Sequence, residues 1–188
     1  LMHNPDRHRY KDLSNFITDV LEAPFDLDVF MAQFGSGLSD INLMLSYPRS
    51  GSTFTRYIVE YFTKRATYGP SLSGVDLPLI EGQNMHEPIA YKEHAQNSYH
   101  KSVVKAFLQR NVPLIFLIRN PIEVVPRHTS IEQASALFEY DDMRYIHENI
   151  SYYFENLKIY KEYKGKKQIF YYEDLVENPA EFIKKICD

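Results

Sequence analysis

Leu45-Ser46-Tyr47-Pro48-Arg49-Ser50-Gly51-Ser52-Thr53-Phe54 is the stretch whose reading decides the fold. It closes the short apolar run Ile41-Asn42-Leu43-Met44-Leu45-Ser46, which predicts a buried strand. It opens residues 54–64, where Phe54, Tyr57, Ile58, Tyr61 and Phe62 recur at the spacing of one helical face. The order is strand, Gly/Ser loop, helix. Such a loop aims several backbone N–H groups at one point, and the helix N-terminus adds partial positive charge there. Ser50, Ser52 and Thr53 add hydroxyl donors, and Arg49 adds a cation with a planar donor fork. Local geometry therefore predicts an anion site. A Ser-rich turn that merely caps a helix is the plainer alternative; the strand before it and Arg49 within it weigh against that. The loop is not the nucleotide-triphosphate pattern G-x-x-x-x-G-K-[ST], because only Gly51 is present and no Lys precedes Ser52 or Thr53.

Outward from this loop, the chain alternates strand and helix signals. Upstream, residues 12–22 predict a short amphipathic helix stopped by Pro24, and Gly35-Ser36-Gly37 a turn. Downstream, residues 66–88 are dense in Pro and Gly and read as one long loop, a kind of segment that is often functional in compact domains. A short strand at 89–92, a helix at 96–110 and a dense apolar strand at 113–118 follow. Then come a long tyrosine-rich helix at 140–164 with Gly165 as its stop, a strand at 168–172 ending in Glu173-Asp174, and a last helix opened by Asn178-Pro179. This alternation predicts an α/β fold, residues 1–188 as a single domain, with a mainly parallel sheet flanked by helices. In such sheets ligands bind beyond the carboxyl ends of the strands.

The bulk composition narrows the function classes. A length of 188 residues fits one domain, and 44% hydrophobic with 24% charged residues is ordinary for a globular chain. The formal net charge of −4 speaks against a general nucleic-acid binder, which carries a basic face, yet leaves room for a local cation cluster around a small anion. Cys187 is the only cysteine, so no intrachain disulfide forms and a thiolate metal site is not expected; a reducing, cytoplasmic setting fits. The apolar runs are too short to cross a bilayer, and residues 1–10 are polar, unlike a signal-peptide core. The 15 Tyr and 12 Phe can supply rings that stack on a base or a phenol, but serve a core equally well.

Four elements of the chain, in order, resemble those of the PAPS-dependent sulfotransferases, where PAPS is 3′-phosphoadenosine-5′-phosphosulfate. Tyr47-Pro48-Arg49-Ser50-Gly51-Ser52-Thr53-Phe54 resembles the family's 5′-phosphosulfate loop, Y-P-[KR]-S-G-[TSN]-[TS]-[WF]. Lys92-Glu93-His94 resembles its K-x-H element, Arg119-Asn120-Pro121 its 3′-phosphate element, and Tyr172-Glu173-Asp174-Leu175 its Y-E-D-L segment. Together they run from Leu45 to Pro179, about 70% of the chain. The resemblance implies a P-loop NTPase-like α/β fold and transfer of a sulfuryl group from PAPS to an acceptor hydroxyl or amine, leaving PAP, the 3′,5′-bisphosphate. It implies no metal.

The resemblance also assigns roles. Arg49 binds the 5′-phosphate and the bridging oxygen; Ser50, Gly51, Ser52 and Thr53 hold phosphate oxygens; Phe54 packs on adenine, with helix core as its plainer role. Lys92 neutralises charge in the transition state. His94 is the general base, since an imidazole titrates near neutral pH; Glu87 and Glu93 are the reserve, though solvated loop charge is the plainer reading, and His86 lies nearby. Arg119 pairs with the 3′-phosphate and Tyr172 contacts the adenine, while Asp174 reads as a helix-start residue. Where the family has Ser eight residues after that Arg, this chain has Arg127, which substitutes a stronger charge unless Thr129 or Ser130 reaches in. The family's R-K-G loop falls beyond Asp188. Acceptor loops are expected in 66–88 and 128–153, with no motif that chooses among a carbohydrate, a phenol, a lipid or a peptide tyrosine. Two other readings stand beside this one: a magnesium- and ATP-dependent small-molecule kinase using Thr53, and a silent module that holds PAP and docks to a partner.

Overall fold

A computed structural model of the chain describes residues 27–28, 41–71, 74–76, 78–83, 87–135 and 142–187. The predicted helix at 12–22, the turn at 35–37 and His86 lie outside them. Six strands form one sheet: β1 (Asn42–Ser46), β2 (Thr67–Ser71), β3 (Gly74–Asp76), β4 (Ala90–Glu93), β5 (Leu114–Ile118) and β6 (Lys167–Tyr171), in the spatial order β3-β2-β4-β1-β5-β6. β2, β4, β1, β5 and β6 run parallel; only β3 is antiparallel, paired with β2. The helices are α1 (Ser52–Thr63), α2 (Ser98–Gln109), α3 (Pro121–Ser135), α4 (Asp142–Glu162), α5 (Tyr172–Glu177) and α6 (Pro179–Cys187). The α/β class with a mainly parallel, helix-flanked sheet is therefore as expected.

Strand alternation splits the core into two layers. Leu43 and Leu45 of β1, with Leu114 and Phe116 of β5, face Val103, Val104 and Phe107 of α2 and Leu157 and Tyr160 of α4. Met44 and Leu117 face the other way, onto Ile58 and Val59 of α1, Leu175 of α5 and Phe182 of α6. β1, central and buried on both faces, reads as the continuous apolar run expected of such a strand. Because the strands it pairs with run parallel to it, the ends of β1, β4, β5 and β6 open on one edge of the sheet, and all four motif elements start there.

Three expectations need correction. Residues 66–88 are not one long loop, because β2 and β3 lie within them. Gly69 and Pro70, read as turn residues, stand inside β2, past Tyr68, the last residue that pairs with β4; Pro is tolerated where no ladder N–H is required. Within 128–153 the described residues are helix rather than loop: 128–135 belong to α3 and 142–153 to α4. The unpredicted α3 begins at Asn120, whose carbonyl accepts from Glu123 and Val124, with Pro121 in the first turn, where a missing N–H costs nothing. Lastly, the aromatic stripe of α1 is not its core face. Phe54, Tyr57, Tyr61 and Phe62 are exposed, while Thr55, Arg56, Ile58, Val59 and Glu60 are buried. Arg56 donates to Thr67 Oγ1 (2.7 Å) and Thr67 O (3.0 Å). Glu60 accepts from the Thr67 hydroxyl and from the N–H groups of Leu79 (2.7 Å) and Ile80 (2.9 Å). A fully hydrogen-bonded ion pair takes the place that periodicity reserves for apolar side chains.

Candidate active site

The loop after β1 turns sharply. Arg49 and Gly51 both have left-handed backbones, φ 67° and 87°, on either side of Ser50, whose N–H donates to Tyr47 O (3.3 Å). Gly51 is the N-cap of α1, and the first i→i−4 bond of the helix runs from Thr55 N–H to Gly51 O (2.9 Å). The N–H groups of Ser52, Thr53 and Phe54 precede it and have no acceptor within the helix. Gly51 is required twice over. Its φ disfavours any side chain, and a Cβ there would sit 2.5 Å from the Tyr172 ring.

The end of β4 brings Lys92 and His94 to the same edge. Lys92 is accommodated by Gly69 on the neighbouring strand, where a Cβ would lie 2.8 Å from Lys92 O and 3.0 Å from Lys92 Cδ. His94 is fixed from two sides. Its Nδ1 lies 2.6 Å from Ser46 O, with Ser46 Oγ at 3.1 Å, and its backbone N–H donates to Glu93 Oε1 (2.7 Å). A carbonyl only accepts, so Nδ1 carries the proton and Nε2 keeps its lone pair. Burial pushes the His94 pKa well below the usual imidazole value; the Lys92 charge adds to this, the Ser46 hydrogen bond opposes it, and His100 and His128 contribute in the lowering direction. The ring is thus neutral at neutral pH. The reserve bases are not placed for the task. Glu93 is fully buried and its Oε1 lies 2.8 Å from His100 Nδ1, while Glu87 is exposed and outside the cleft lining.

At the end of β5, Arg119 lies over the Tyr172 ring, with its guanidinium carbon 4.1 Å from the ring centroid. Its Nη2 donates to Glu123 Oε2 (2.7 Å), and Tyr153 Oη donates to its carbonyl (2.9 Å). Glu173 accepts the Asn120 N–H (2.9 Å), tying the start of α5 to the end of β5. Arg127, eight residues further on and within α3, lines the same cleft as Arg119. Thr129 and Ser130 do not reach in. Their hydroxyls donate back to Val125 O and Pro126 O (2.9 Å each), and neither lines the cleft.

These pieces enclose a cleft of about 580 Å³. Of the residues singled out by sequence, Arg49, Gly51, Ser52, Thr53, Phe54, Lys92, His94, Arg119, Arg127 and Tyr172 line it. Ser50 does not: it is buried beneath the loop, with its Oγ lacking a hydrogen-bond partner among the described residues. Phe54 is 55% exposed, so it offers its ring outward rather than serving as helix core. Gln96 and His128 also line the cleft, with Gln96 Nε2 2.7 Å from His128 Nε2; sequence reasoning missed both, and only a correct reading of α3 from its Asn120-Pro121 start would have pointed to His128. Among the described residues the lining holds four cations, two histidines and no carboxylate. In a chain of net charge −4 that is a deliberate concentration of positive charge. A donor set of helix N–H groups, hydroxyls, guanidinium forks and a lysine suits a ligand with several phosphate or sulfate oxygens.

The class that the fold defines is an α/β domain with a mainly parallel sheet, a Gly/Ser loop after its central strand and a histidine at the end of the adjacent strand. A family model described as the sulfotransferase domain matches residues 39–188, and the chain belongs to that family. Among solved structures it is similar to mouse sulfotransferase SULT7A1 complexed with PAP, at a TM-score of 0.55 and 14% identity over 83% of this chain. It is also similar to the sulfotransferase domain from the curacin biosynthetic pathway, at a TM-score of 0.56 and 18% identity over 81% of this chain and 74% of that one. The chain spans 60% of the length of the mouse protein. No curated protein matches it. Among the described residues no helix is long and apolar enough to cross a membrane.

Proposed function

We propose that the chain transfers a sulfuryl group from PAPS to an acceptor hydroxyl or amine, with His94 as general base. One observation carries this reading: His94, with Nδ1 committed to Ser46 and its lone pair on Nε2, shares with Lys92, Arg49, Arg119 and Arg127 a cleft whose lining holds no carboxylate among the described residues. PAPS supplies a sulfuryl group on a phosphate leaving group that departs as a stable anion. Arg49, Lys92 and the first N–H groups of α1 neutralise charge on the 5′-side, where it grows in the transition state. Arg119 and Arg127 take the 3′-phosphate, and the Tyr172 ring faces the adenine. His94 Nε2 accepts the proton of the acceptor as its oxygen or nitrogen closes on sulfur.

The test is a calorimetric titration of PAP, ATP and AMP, run without and then with magnesium. PAP is expected to bind selectively, and Arg119→Ala to weaken it by about 10- to 100-fold, the worth of a charge-assisted bidentate contact. Preference for ATP with magnesium would replace this reading with the kinase; tight PAP binding without transfer to any acceptor would replace it with the silent module.

A further inference from the structure

Beyond the end of β4 the chain keeps its strand alternation. Lys92, His94 and Gln96 line the cleft, while Glu93 and Ala95 between them are fully buried. Three successive N–H groups of this exit are tied down. His94 N–H donates to Glu93 Oε1 (2.7 Å), Ala95 N–H to Asn156 Oδ1 (3.2 Å) and Gln96 N–H to His94 O (2.8 Å). Asn97 then caps α2, its Oδ1 accepting the His100 N–H (3.0 Å). The backbone under Gln96 is thus held as firmly as that under His94.

The side chain is held as well. Gln96 Nε2 lies 2.7 Å from His128 Nε2. An amide nitrogen only donates, so the imidazole nitrogen accepts and the His128 proton sits on Nδ1. His128 is itself buried, and its ring meets that of Tyr47 edge-on with 5.4 Å between centroids. With Nε2 committed, the amide turns its other end, Oε1, away from His128, and that oxygen accepts from no described residue.

Such an oxygen does not suit the nucleotide's anionic groups. Phosphate and sulfate oxygens accept, and the lining answers them with cations, hydroxyls and N–H groups. Among the described residues, two unengaged side-chain atoms of the lining accept without being able to donate: His94 Nε2 and Gln96 Oε1. Both call for a partner that brings protons, and the reactant that brings them is the acceptor. His94 Nε2 removes one of its hydrogens, which leaves Gln96 Oε1 for a second.

We infer that Gln96 selects acceptors that carry a second polar hydrogen beside the one they lose. That hydrogen sits on the reacting atom in a primary amine and on the adjacent hydroxyl in a vicinal diol. The inference rests on the transferase reading above. In the step it serves, the acceptor nitrogen or oxygen forms its bond to sulfur. The S–O bond to the 5′-phosphate of PAPS breaks with its electron pair leaving on PAP, and one acceptor proton passes to His94 Nε2. The second hydrogen stays on the acceptor, bonded to Gln96 Oε1, and the product is a sulfamate or a sulfate monoester.

Matched acceptors that differ by that hydrogen test it, with PAP affinity measured by calorimetry on every variant. Sulfuryl transfer from PAPS is assayed with aniline against N-methylaniline and with catechol against 2-methoxyphenol. Binding of the same compounds in the presence of PAP is read by saturation-transfer NMR. The expected result is a kcat/KM about 10-fold higher for the member with the second hydrogen in at least one pair. The pair that responds tells whether the hydrogen lies on the reacting atom or beside it. Gln96→Met, of similar length but without the amide oxygen, is expected to bring that ratio to about one, while Gln96→Glu, which keeps an oxygen there, preserves a preference. Equal use of both members in both pairs overturns the inference, and so does a ratio that Gln96→Met leaves unchanged. A drop in PAP affinity of about 10-fold in Gln96→Met also overturns it, because the oxygen then serves the adenine amino group. Absence of binding and transfer for all these compounds, in protein that holds PAP, does the same. Protein that does not bind PAP sinks the transferase reading itself, and this inference with it.

Discussion

Arg49 and Arg56 stand at the two sides of the start of α1 and use the same guanidinium in opposite ways. Arg56 is 2% exposed, bonded twice to Thr67 and 3.9 Å from the fully buried Glu60. Its charge is spent inside the fold, where it pins β2 and, through Glu60, residues 79 and 80 to the helix. Arg49 is exposed at the cleft, one of four cations gathered there, among the described residues, without a carboxylate in the lining. The difference teaches where to look for function. A charge balanced by its own chain is architecture, whereas charges of one sign collected on one wall are held for a ligand.

The comparison breaks most readily at Arg56. Arg56→Leu leaves Glu60 buried without its counter-ion and is expected to cost about 3–5 kcal/mol in urea denaturation, with Arg56→Leu/Glu60→Leu restoring much of it. Arg49→Ala in the same assay should stay within about 0.5 kcal/mol. Equal losses at the two positions would erase the distinction.

On the cleft side, His94→Ala is expected to lower kcat by about 10²–10⁴-fold while PAP affinity is kept. The pH profile checks the same residue. Because the folded-state pKa is depressed, the neutral base persists through the range where a free imidazole titrates, and activity falls only as pH drops through the lower folded value. An acid limb centred on the ordinary imidazole value, unmoved by His94→Ala, would remove it from this role.

The smallest effect sharpens the boundary between the two kinds of arginine. Arg119 belongs to the cleft yet has a carboxylate partner, Glu123, which is about half exposed. Such a pair is worth about 0–1 kcal/mol, little enough for a phosphate to displace. Glu123→Gln should therefore tighten PAP binding by about two- to fivefold in calorimetry; weaker binding would mean that Glu123 orients Arg119 rather than competing for it.

Much of the fold and of the site was legible in the chain because both are written locally. Strand, Gly/Ser loop and helix around Gly51 are neighbours in sequence, and the anion site is made by the backbone they share. The strand-end positions of Lys92, His94 and Arg119 follow from short apolar runs that each end at a charged residue. Tertiary structure decided the rest. Periodicity marks which side chains of α1 share a face but not which face meets the sheet; Thr67 and the N–H groups of residues 79 and 80 decided that by satisfying Arg56 and Glu60. Gly69 reads as a turn by itself, and only its pairing with Asp76 of β3 makes it a strand residue. Gln96 carries no signal in sequence and His128 only the helical start at Asn120-Pro121, because the bond that joins them spans 32 residues and exists only once the chain has folded. Local propensity and motif chemistry can be read from neighbours in the chain, whereas burial and side-chain partnership belong to whichever distant segment arrives.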